Sequence, residues 1–220
     1  MKLHIADVLP PARIASMRLA LEREEASFSP GKATAGWQAR EVKNNDQSAG
    51  PAAQEVMEDI RAALMANPVF LSAARPKAFV KTLVSRYRPG MAYGTHTDDA
   101  LMGGMRNDLS FTCFLSEPAD YDGGELVLEG NEGEETVKPP AGSVFLYPTT
   151  ALHHVAEVTR GERLAVVGWV RSFIRDAQKR EMLFDLDQTV AALRQMQAER
   201  QVMNRVSKTR NNLIRMWAED

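Results

Sequence analysis

The sequence predicts an α+β protein whose core is a double-stranded β-helix, or jelly roll, with helices outside it. Three observations predict this fold. Short β-type runs separated by glycine and proline begin after Pro76 and continue to Phe173. Apolar residues at helical spacing precede those runs, and the same spacing returns after Asp176. Many short strands with helices at both ends are typical of a two-layered or closed β core.

Helices are predicted before the strands, with a loop between them. Residues 11–25 carry apolar side chains at helical spacing, and Pro10-Pro11 is a suitable entrance because proline is tolerated in the first helical turn. Residues 54–66 repeat the spacing and predict a second helix. The stretch 27–36 is rich in Ser, Gly and Pro and is predicted to be a loop.

The middle of the chain reads as a series of strands. Each is a short run rich in β-branched, aromatic and other apolar residues, and glycine or proline punctuates the series. The predicted strands are 78–87, 109–115, 125–128, 135–138, 143–147, 152–158 and 163–173.

The tail is predicted to be helical. Apolar residues recur at steps of three and four from Asp176 onward, and the polar stretch 204–212 predicts an interruption before a short terminal helix. This tail could cap the core or form a homo-oligomer with another subunit. We expect an N-terminal helical and loop segment at 1–77, a jelly-roll core at 78–175 and a C-terminal helical extension at 176–220.

Composition bounds the class of protein and its partners. With 220 residues, 44% of them hydrophobic, the chain can bury one sizeable core. A formal net charge of −2 gives no general attraction to nucleic acid or to anionic membranes. The basic residues of the tail are interleaved with acidic ones, which favours a solvated helical face. We therefore expect neither nucleic acid nor membrane as a partner.

The compartment follows from cysteine use and from the N-terminus. Cys113 is the one cysteine, so no intrachain disulfide is possible, and a reducing compartment is compatible. Asp7 and Pro10-Pro11 interrupt any signal-like apolar run, and no window approaches the length of a membrane span. We expect a soluble, cytoplasmic protein.

The most informative motif is His96-Thr-Asp98, followed on a later predicted strand by His153. Residues i and i+2 of a strand share a face, so the pair can project both side chains to one side, where His153 completes a triangle. A lone pair of this kind is a weak signal. Two imidazoles and one carboxylate on one face leave the other coordination positions open, which is typical of a non-haem Fe(II) oxygenase. We predict His96, Asp98 and His153 as metal ligands.

Arg163 strengthens this interpretation. It follows His153 across a turn at 159–162, and if the two flanking segments are successive strands it can return toward the metal. A guanidinium binds a carboxylate through two parallel hydrogen bonds. This suits the far carboxylate of a dicarboxylic keto acid and suggests 2-oxoglutarate as cosubstrate.

Two tyrosines are weaker candidates. Tyr87 and Tyr93 flank the glycine-containing turn before His96. Either phenol could donate a hydrogen bond to the keto acid while its ring packs in the core. Packing alone is the alternative interpretation for both.

Short motifs spread along the chain carry a family resemblance. They are Thr34-Ala-Gly36, Val42-Lys-Asn-Asn45, Tyr93-Gly-x-His96-x-Asp98, Arg106-x-Asp-Leu-Ser110, Tyr121-Asp-Gly-Gly-Glu-Leu126, Leu146-Tyr-Pro148, Leu152-His153 and Val158-Thr-Arg-Gly161 with Arg163. On these residues the chain resembles the bacterial PKHD-type hydroxylases of the Fe(II)/2-oxoglutarate-dependent prolyl and lysyl hydroxylase superfamily.

The resemblance implies a dioxygenase that consumes O2 and 2-oxoglutarate, with Fe(II) held by His96, Asp98 and His153 and the keto acid on Arg163. It also implies that L-ascorbate returns the iron to Fe(II). One departure is that His154 follows His153, where such proteins often have a single histidine. The spacing to Arg163 favours His153, and a neighbouring strand position should turn His154 to the other face.

The substrate and two other function classes stay open. The resemblance implies a prolyl or lysyl side chain, or an iron-chelating small molecule, since bacterial members are often linked to iron uptake. A cupin-like metalloenzyme without 2-oxoglutarate is an alternative, although it would usually have more histidines and would not need Arg163. A non-catalytic iron or oxygen sensor that binds a partner through its helical tail is another.

Overall fold

A computed structural model describes residues 1–34 and 37–219. Ala35 and Gly36, from the early motif, and Asp220 lie outside the described residues. The helices are α1 (Pro11–Arg23), α2 (Trp37–Val42), α3 (Pro51–Ala66), α4 (Pro68–Ala74), α5 (Ala177–Gln195) and α6 (Arg200–Trp217). The strands are β1 (Leu3–Ile5), β2 (Phe28–Pro30), β3 (Lys43–Asn44), β4 (Asp46–Ser48), β5 (Pro76–Tyr87), β6 (Ala92–His96), β7 (Leu101–Met102), β8 (Met105–Arg106), β9 (Leu109–Phe114), β10 (Tyr121–Gly123), β11 (Leu126–Gly130), β12 (Gly133–Val137), β13 (Val144–Pro148), β14 (His153–Val155), β15 (Val158–Gly161) and β16 (Arg163–Ser172).

Two antiparallel sheets form the β core. The larger sheet, called here the major sheet, has the strand order β1-β13-β9-β16-β5-β4-β2. The smaller one, the minor sheet, has the order β12-β11-β14-β6-β3. Non-consecutive strands lie side by side in both sheets, so the chain repeatedly crosses between them. With helices outside the sheets, this confirms the predicted α+β fold class.

The major sheet separates two apolar layers because its side chains alternate between faces. On β9, Phe111 and Cys113 point to one face and belong to a cluster that includes residues of α1, α3 and α4. Phe114 belongs to a second cluster, where it packs with Leu126 and Leu128 of the minor sheet. These three helices therefore cover one face of the major sheet, and its other face lines the interior between the two sheets.

The N-terminal segment contributes strands that the sequence did not predict. The stretch predicted as a loop at 27–36 contains β2, and β1, β3 and β4 complete the edges of the sheets. These strands span two or three residues and have little apolar alternation, so no periodic signal marks them. The short helix α4 was also missed; the side chain of Asn67 caps it by accepting from the Phe70 amide.

The predicted strand at 152–158 is two strands, β14 and β15. The predicted helix interruption at 204–212 is wrong, because α6 runs through it without a break. Although α6 is polar in composition, its half-buried residues recur at steps of one, three and four. This spacing places them on one face of the helix, which packs against the protein. These positions are Met203, Val206, Ser207, Arg210, Leu213, Ile214 and Trp217.

The helical tail is attached to the core by a half-buried charge cluster. Asp187 of α5 accepts from Arg75, which ends α4, at 2.6 Å. It also pairs with Arg210 of α6. One carboxylate thus joins three helical segments.

Among the described residues, no helix is both long and apolar enough to cross a membrane.

A buried carboxylate, Asp108, provides a stability prediction. It accepts from Arg106 Nε at 2.8 Å and from the Ser172 amide at 2.8 Å, and its side chain is 5% exposed. Asp108→Ala leaves both donors without this partner, so we expect a loss of about 2–3 kcal/mol in the free energy of unfolding, measured by urea denaturation.

The matched control is Asp122→Ala. Asp122 also accepts two hydrogen bonds from one arginine, Arg160, but this pair is exposed to solvent. Exposed ion pairs contribute little to stability. We expect an unfolding curve close to wild type for the control, and equal destabilisation by both variants would contradict the prediction.

Candidate metal and cosubstrate site

Strand pairing brings the two predicted histidine ligands together. His96 is the last residue of β6 and His153 the first of β14, and the two are direct partners in the antiparallel ladder. Their rings lie 4.3 Å apart between centroids. Asp98 follows the end of β6, so the expectation that it shares a strand face with His96 is wrong. The turn after the strand, rather than the pleat, directs its carboxylate to the histidines.

The three side chains converge on one point. His96 Nε2 lies 4.0 Å from Asp98 Oδ1, and His153 Nε2 lies 3.9 Å from Asp98 Oδ2. One ligand atom from each residue falls within 4.8 Å of the other two. The side chains are only 5–7% exposed. The structure therefore brings all three predicted metal ligands into one buried cluster.

The two histidine rings each form a hydrogen bond through Nδ1, which leaves Nε2 on the side of the cluster. His96 Nδ1 lies 2.9 Å from the Gly94 carbonyl oxygen, and His153 Nδ1 lies 3.0 Å from that of Ala151. A carbonyl only accepts, so each Nδ1 carries a proton and each Nε2 is left to face Asp98. Burial, with His153 as the next cause, lowers the pKa of His96 to about 4. Two imidazole nitrogens and one carboxylate are a donor set that suits Fe(II).

Neighbouring side chains hold the cluster in place. Ser110 on β9 donates to Asp98 Oδ2 at 2.6 Å. The Tyr93 ring stacks on His96 with centroids 3.8 Å apart, and Tyr147 meets His153 edge to face. The roles of Ser110 and Tyr147 were not predicted, because only the folded sheets bring β9 and β13 to the cluster.

Arg163 lies in the same interior as a buried cation. It begins β16 and pairs in register with Tyr87 at the end of β5. Its side chain is among the largest fully buried ones, and the guanidinium lies 5.2 Å from the Tyr87 ring. Its Nε and Nη1 have no hydrogen-bond partner, and within the described residues no carboxylate pairs with it. An unpaired buried charge is costly, so this position requires an anion.

A cavity of about 200 Å³ joins these groups. It lies between the sheets, and its lining includes His96, Asp98, His153 and Arg163. Both predicted tyrosines, Tyr87 and Tyr93, also line it. The structure therefore places every predicted site residue in one cavity, with the guanidinium and the metal cluster available to opposite ends of one bound molecule.

One wall of the cavity comes from the segment between β3 and β4. The chain leaves the minor sheet after Asn44 and joins the major sheet at Asp46, so it closes one side of the jelly roll. Lys43, Asn45 and Gln47 line the cavity. Lys43 and Asn45 belong to the motif Val42-Lys-Asn-Asn45 of the family resemblance, but no role in the site was predicted for them or for Gln47.

The second histidine of the His153-His154 pair faces away from the cluster, as predicted. His154 Nδ1 lies 3.9 Å from Glu129 Oε1 on the other face of the minor sheet. Strand alternation separates the two neighbours.

Comparisons with known proteins agree with this site. Residues 82–171 match the model of the 2OG-Fe(II) oxygenase superfamily, and residues 176–219 match that of the PKHD-type hydroxylase C-terminal domain. A PKHD-type hydroxylase of Maricaulis maris is 52% identical, with both chains covered completely. One from a Picosynechococcus species is 51% identical over 98% of each chain.

Solved structures show the same fold. A Pseudomonas putida prolyl-4-hydroxylase matches with a TM-score of 0.56 and 24% identity, over 78% of this chain and 92% of that one. A Trichoplax adhaerens prolyl hydroxylase, in complex with a hypoxia inducible factor peptide, matches with a TM-score of 0.59 and 18% identity, over 82% and 86%. Both likenesses support the jelly-roll architecture.

Proposed function

The chain belongs to the PKHD-type hydroxylase family and is a 2-oxoglutarate- and Fe(II)-dependent dioxygenase, and from this premise we propose that His96, Asp98 and His153 hold its Fe(II). The observation that carries the proposal is the convergence of two imidazole Nε2 atoms and one carboxylate on a buried point, with each ring held by its Nδ1. Ligands from one side leave the remaining coordination positions for cosubstrate and O2.

Arg163 is proposed to bind the far carboxylate of 2-oxoglutarate. Its unpaired, buried guanidinium supports this role, because a bidentate carboxylate would satisfy it. Tyr87 lies beside it, and burial raises the pKa of that phenol. Tyr87 thus stays protonated and can donate to the same carboxylate. Tyr93 lies nearer the metal, stacked on His96, and is proposed to border the keto-acid end.

The bound Fe(II) and 2-oxoglutarate would supply oxidation of a substrate C–H bond by O2, with 2-oxoglutarate converted to succinate and CO2. The protein's own groups supply placement. His96, Asp98 and His153 fix the metal position, and Arg163 with Tyr87 orients the cosubstrate.

Ser110 is predicted to support metal binding through Asp98. Its hydroxyl is the hydrogen-bond donor to Oδ2, so Ser110→Ala frees the carboxylate to rotate. We expect Fe(II) affinity to fall about 10–100-fold, which is typical for loss of a group that orients a metal ligand. Anaerobic equilibrium dialysis of Fe(II) measures this. Unchanged affinity in a folded Ser110→Ala protein would contradict the role.

The hydroxylated substrate is proposed to be a protein prolyl or lysyl side chain or an iron-chelating small molecule. The first follows from the resemblance to prolyl and lysyl hydroxylases, and the second from the link of bacterial members to iron uptake. L-Ascorbate is proposed to restore Fe(II) after turnovers without substrate, so omission of ascorbate should shorten the period of activity.

A turnover assay tests the proposed function. The protein, Fe(II), 2-oxoglutarate and O2 are incubated with prolyl and lysyl peptides or with catechol and hydroxamate chelators. Mass spectrometry then follows the gain of one oxygen atom, and succinate is counted in parallel. We expect one candidate class to gain oxygen in step with succinate. Oxygenation without consumption of 2-oxoglutarate would contradict the assignment.

The chain's organisation and setting remain proposals as well. We propose that the chain is divided into an N-terminal segment at 1–77, a jelly-roll core at 78–175 and a C-terminal extension at 176–220. We also propose that the protein acts in the cytoplasm, with which the unpaired, buried Cys113 is compatible.

Exposed apolar side chains on the tail, among them Met216 at 74% and Val202 at 43%, support pairing of two subunits through the helices. Light scattering of wild type and Met216→Glu tests this; a wild-type monomer at all concentrations would exclude it.

A further inference from the structure

Lys43 is a buried cation on the cavity wall that the iron and 2-oxoglutarate chemistry does not use. The residue is 5% exposed and belongs to β3, at the edge of the minor sheet. Its Nζ lies 5.2 Å from the centre of the Tyr93 ring, and that ring stacks on His96. The Tyr93 ring therefore contacts both Lys43 and the candidate metal ligand His96.

The ammonium group of Lys43 has few polar partners among the described residues. Nζ donates to Thr34 Oγ1 at 3.1 Å, and no carboxylate of the described residues forms an ion pair with it. An ammonium has three donors. Burial, and then the nearby charge of Lys81, lowers the pKa of Lys43 to about 8, so it is still a cation at neutral pH. Lys43 also lines the cavity, and its one bond to Thr34 leaves two ammonium donors for a bound group.

The charges that line the cavity leave a positive excess. With Fe(II) and the dianion of 2-oxoglutarate bound, Asp98 and Arg163 balance each other. The remaining charged lining residues are Lys43, Lys81 and Asp99. Lys81 and Asp99 are both exposed and of opposite charge, whereas Lys43 is buried in the wall. The loaded cavity is therefore complementary to an anionic group near Lys43.

We propose that Lys43 determines specificity by binding a carboxylate of the hydroxylation substrate. This inference rests on the proposed function and names the substrate class: a molecule that carries a carboxylate close to the carbon that reacts. Nζ supplies the charged donor, and the Thr34 hydroxyl, which itself donates toward Gln47, fixes where Nζ lies. The carboxylate would sit beside Tyr93, and the reacting carbon would extend past the ring toward the metal.

Matched carboxylate and carboxamide probes test the proposal. Protein loaded anaerobically with Fe(II) and 2-oxoglutarate is titrated calorimetrically with N-acetyl-L-proline against N-acetyl-L-prolinamide, and with benzoate against benzamide. We expect the carboxylate of at least one pair to bind about tenfold or more tightly than its amide, as for a hydrogen bond to a charged group. Equal binding within both pairs, or no binding of either carboxylate, would overturn the proposal.

Three variants connect the preference to Lys43. Lys43→Gln should abolish it and Lys43→Arg should retain most of it, while Lys208→Gln, an exposed lysine on α6, should leave it unchanged. A carboxylate preference that survives in Lys43→Gln would overturn the proposal.

The affinity for 2-oxoglutarate, followed by the visible charge-transfer band of its Fe(II) chelate, distinguishes a failure of the Lys43 proposal from a failure of the proposed function. Lys43→Gln should keep this affinity within about twofold of wild type. If it loses 2-oxoglutarate together with the probes, Lys43 belongs to the cosubstrate site and the proposal fails. If wild type itself binds no 2-oxoglutarate, the proposed function fails instead.

Discussion

His153→Ala is expected to abolish Fe(II) binding and succinate formation, whereas His154→Ala is expected to leave both nearly intact. The two residues are neighbours in β14, yet only His153 directs its Nε2 to Asp98. Removal of a ligand should cost more than the roughly 10–100-fold typical for a residue that only supports one. His154 is on the opposite face, so its loss should change iron affinity by less than about twofold.

Anaerobic Fe(II) dialysis and a succinate assay on the two variants measure this effect. The pair controls for composition and position, because each variant loses one imidazole from the same short strand. Equal iron affinity of His153→Ala and wild type would contradict the ligand assignment. A larger loss in His154→Ala than in His153→Ala would instead assign the iron to the outer face of the minor sheet.

Arg163→Met is expected to weaken 2-oxoglutarate binding by about 30-fold to several thousandfold, the range for removal of one partner of a buried charge pair. The protein should remain folded, because the substitution replaces an unpaired buried cation with an apolar side chain. Arg163→Lys should recover part of the affinity, since it keeps the charge and loses the planar fork.

The control for this prediction is Arg160→Met, in the strand just before. Arg160 is exposed and paired with Asp122, so the substitution should leave the affinity for 2-oxoglutarate unchanged. The affinities come from titration of the keto acid into each Fe(II)-loaded variant. Wild-type affinity in a folded Arg163→Met protein would remove Arg163 from the cosubstrate site.

The fold was predictable from sequence where strands bury one or both faces. The runs that became β5, β9, β13 and β16 carry continuous or alternating apolar residues, which need a hydrophobic interior. The strands of the first 48 residues could not be found in this way. Lys43-Asn44 and Asp46-Gln-Ser48 pair because neighbouring strands offer open edges, and that information lies elsewhere in the chain. For α6, a polar sequence concealed a face that only tertiary packing uses.

The site was predictable where chemistry restricts residue type. His96, Asp98, His153 and Arg163 were identified as a combination, and the fold brings them into one cavity. Ser110 and Lys43 were not, because a serine on a strand and a lysine after valine are common. Their proposed roles depend on distances to Asp98 and Tyr93 that exist only after the sheets face each other.

The most direct test of the site is anaerobic addition of Fe(II) and 2-oxoglutarate to the metal-free protein, with detection of the weak visible metal-to-ligand charge-transfer band. We predict that the band appears in wild type, is lost in His96→Ala and is weakened in Arg163→Ala. Iron binding without the band would contradict the account, and a cupin-like metalloenzyme or an iron sensor would then explain the buried cluster better.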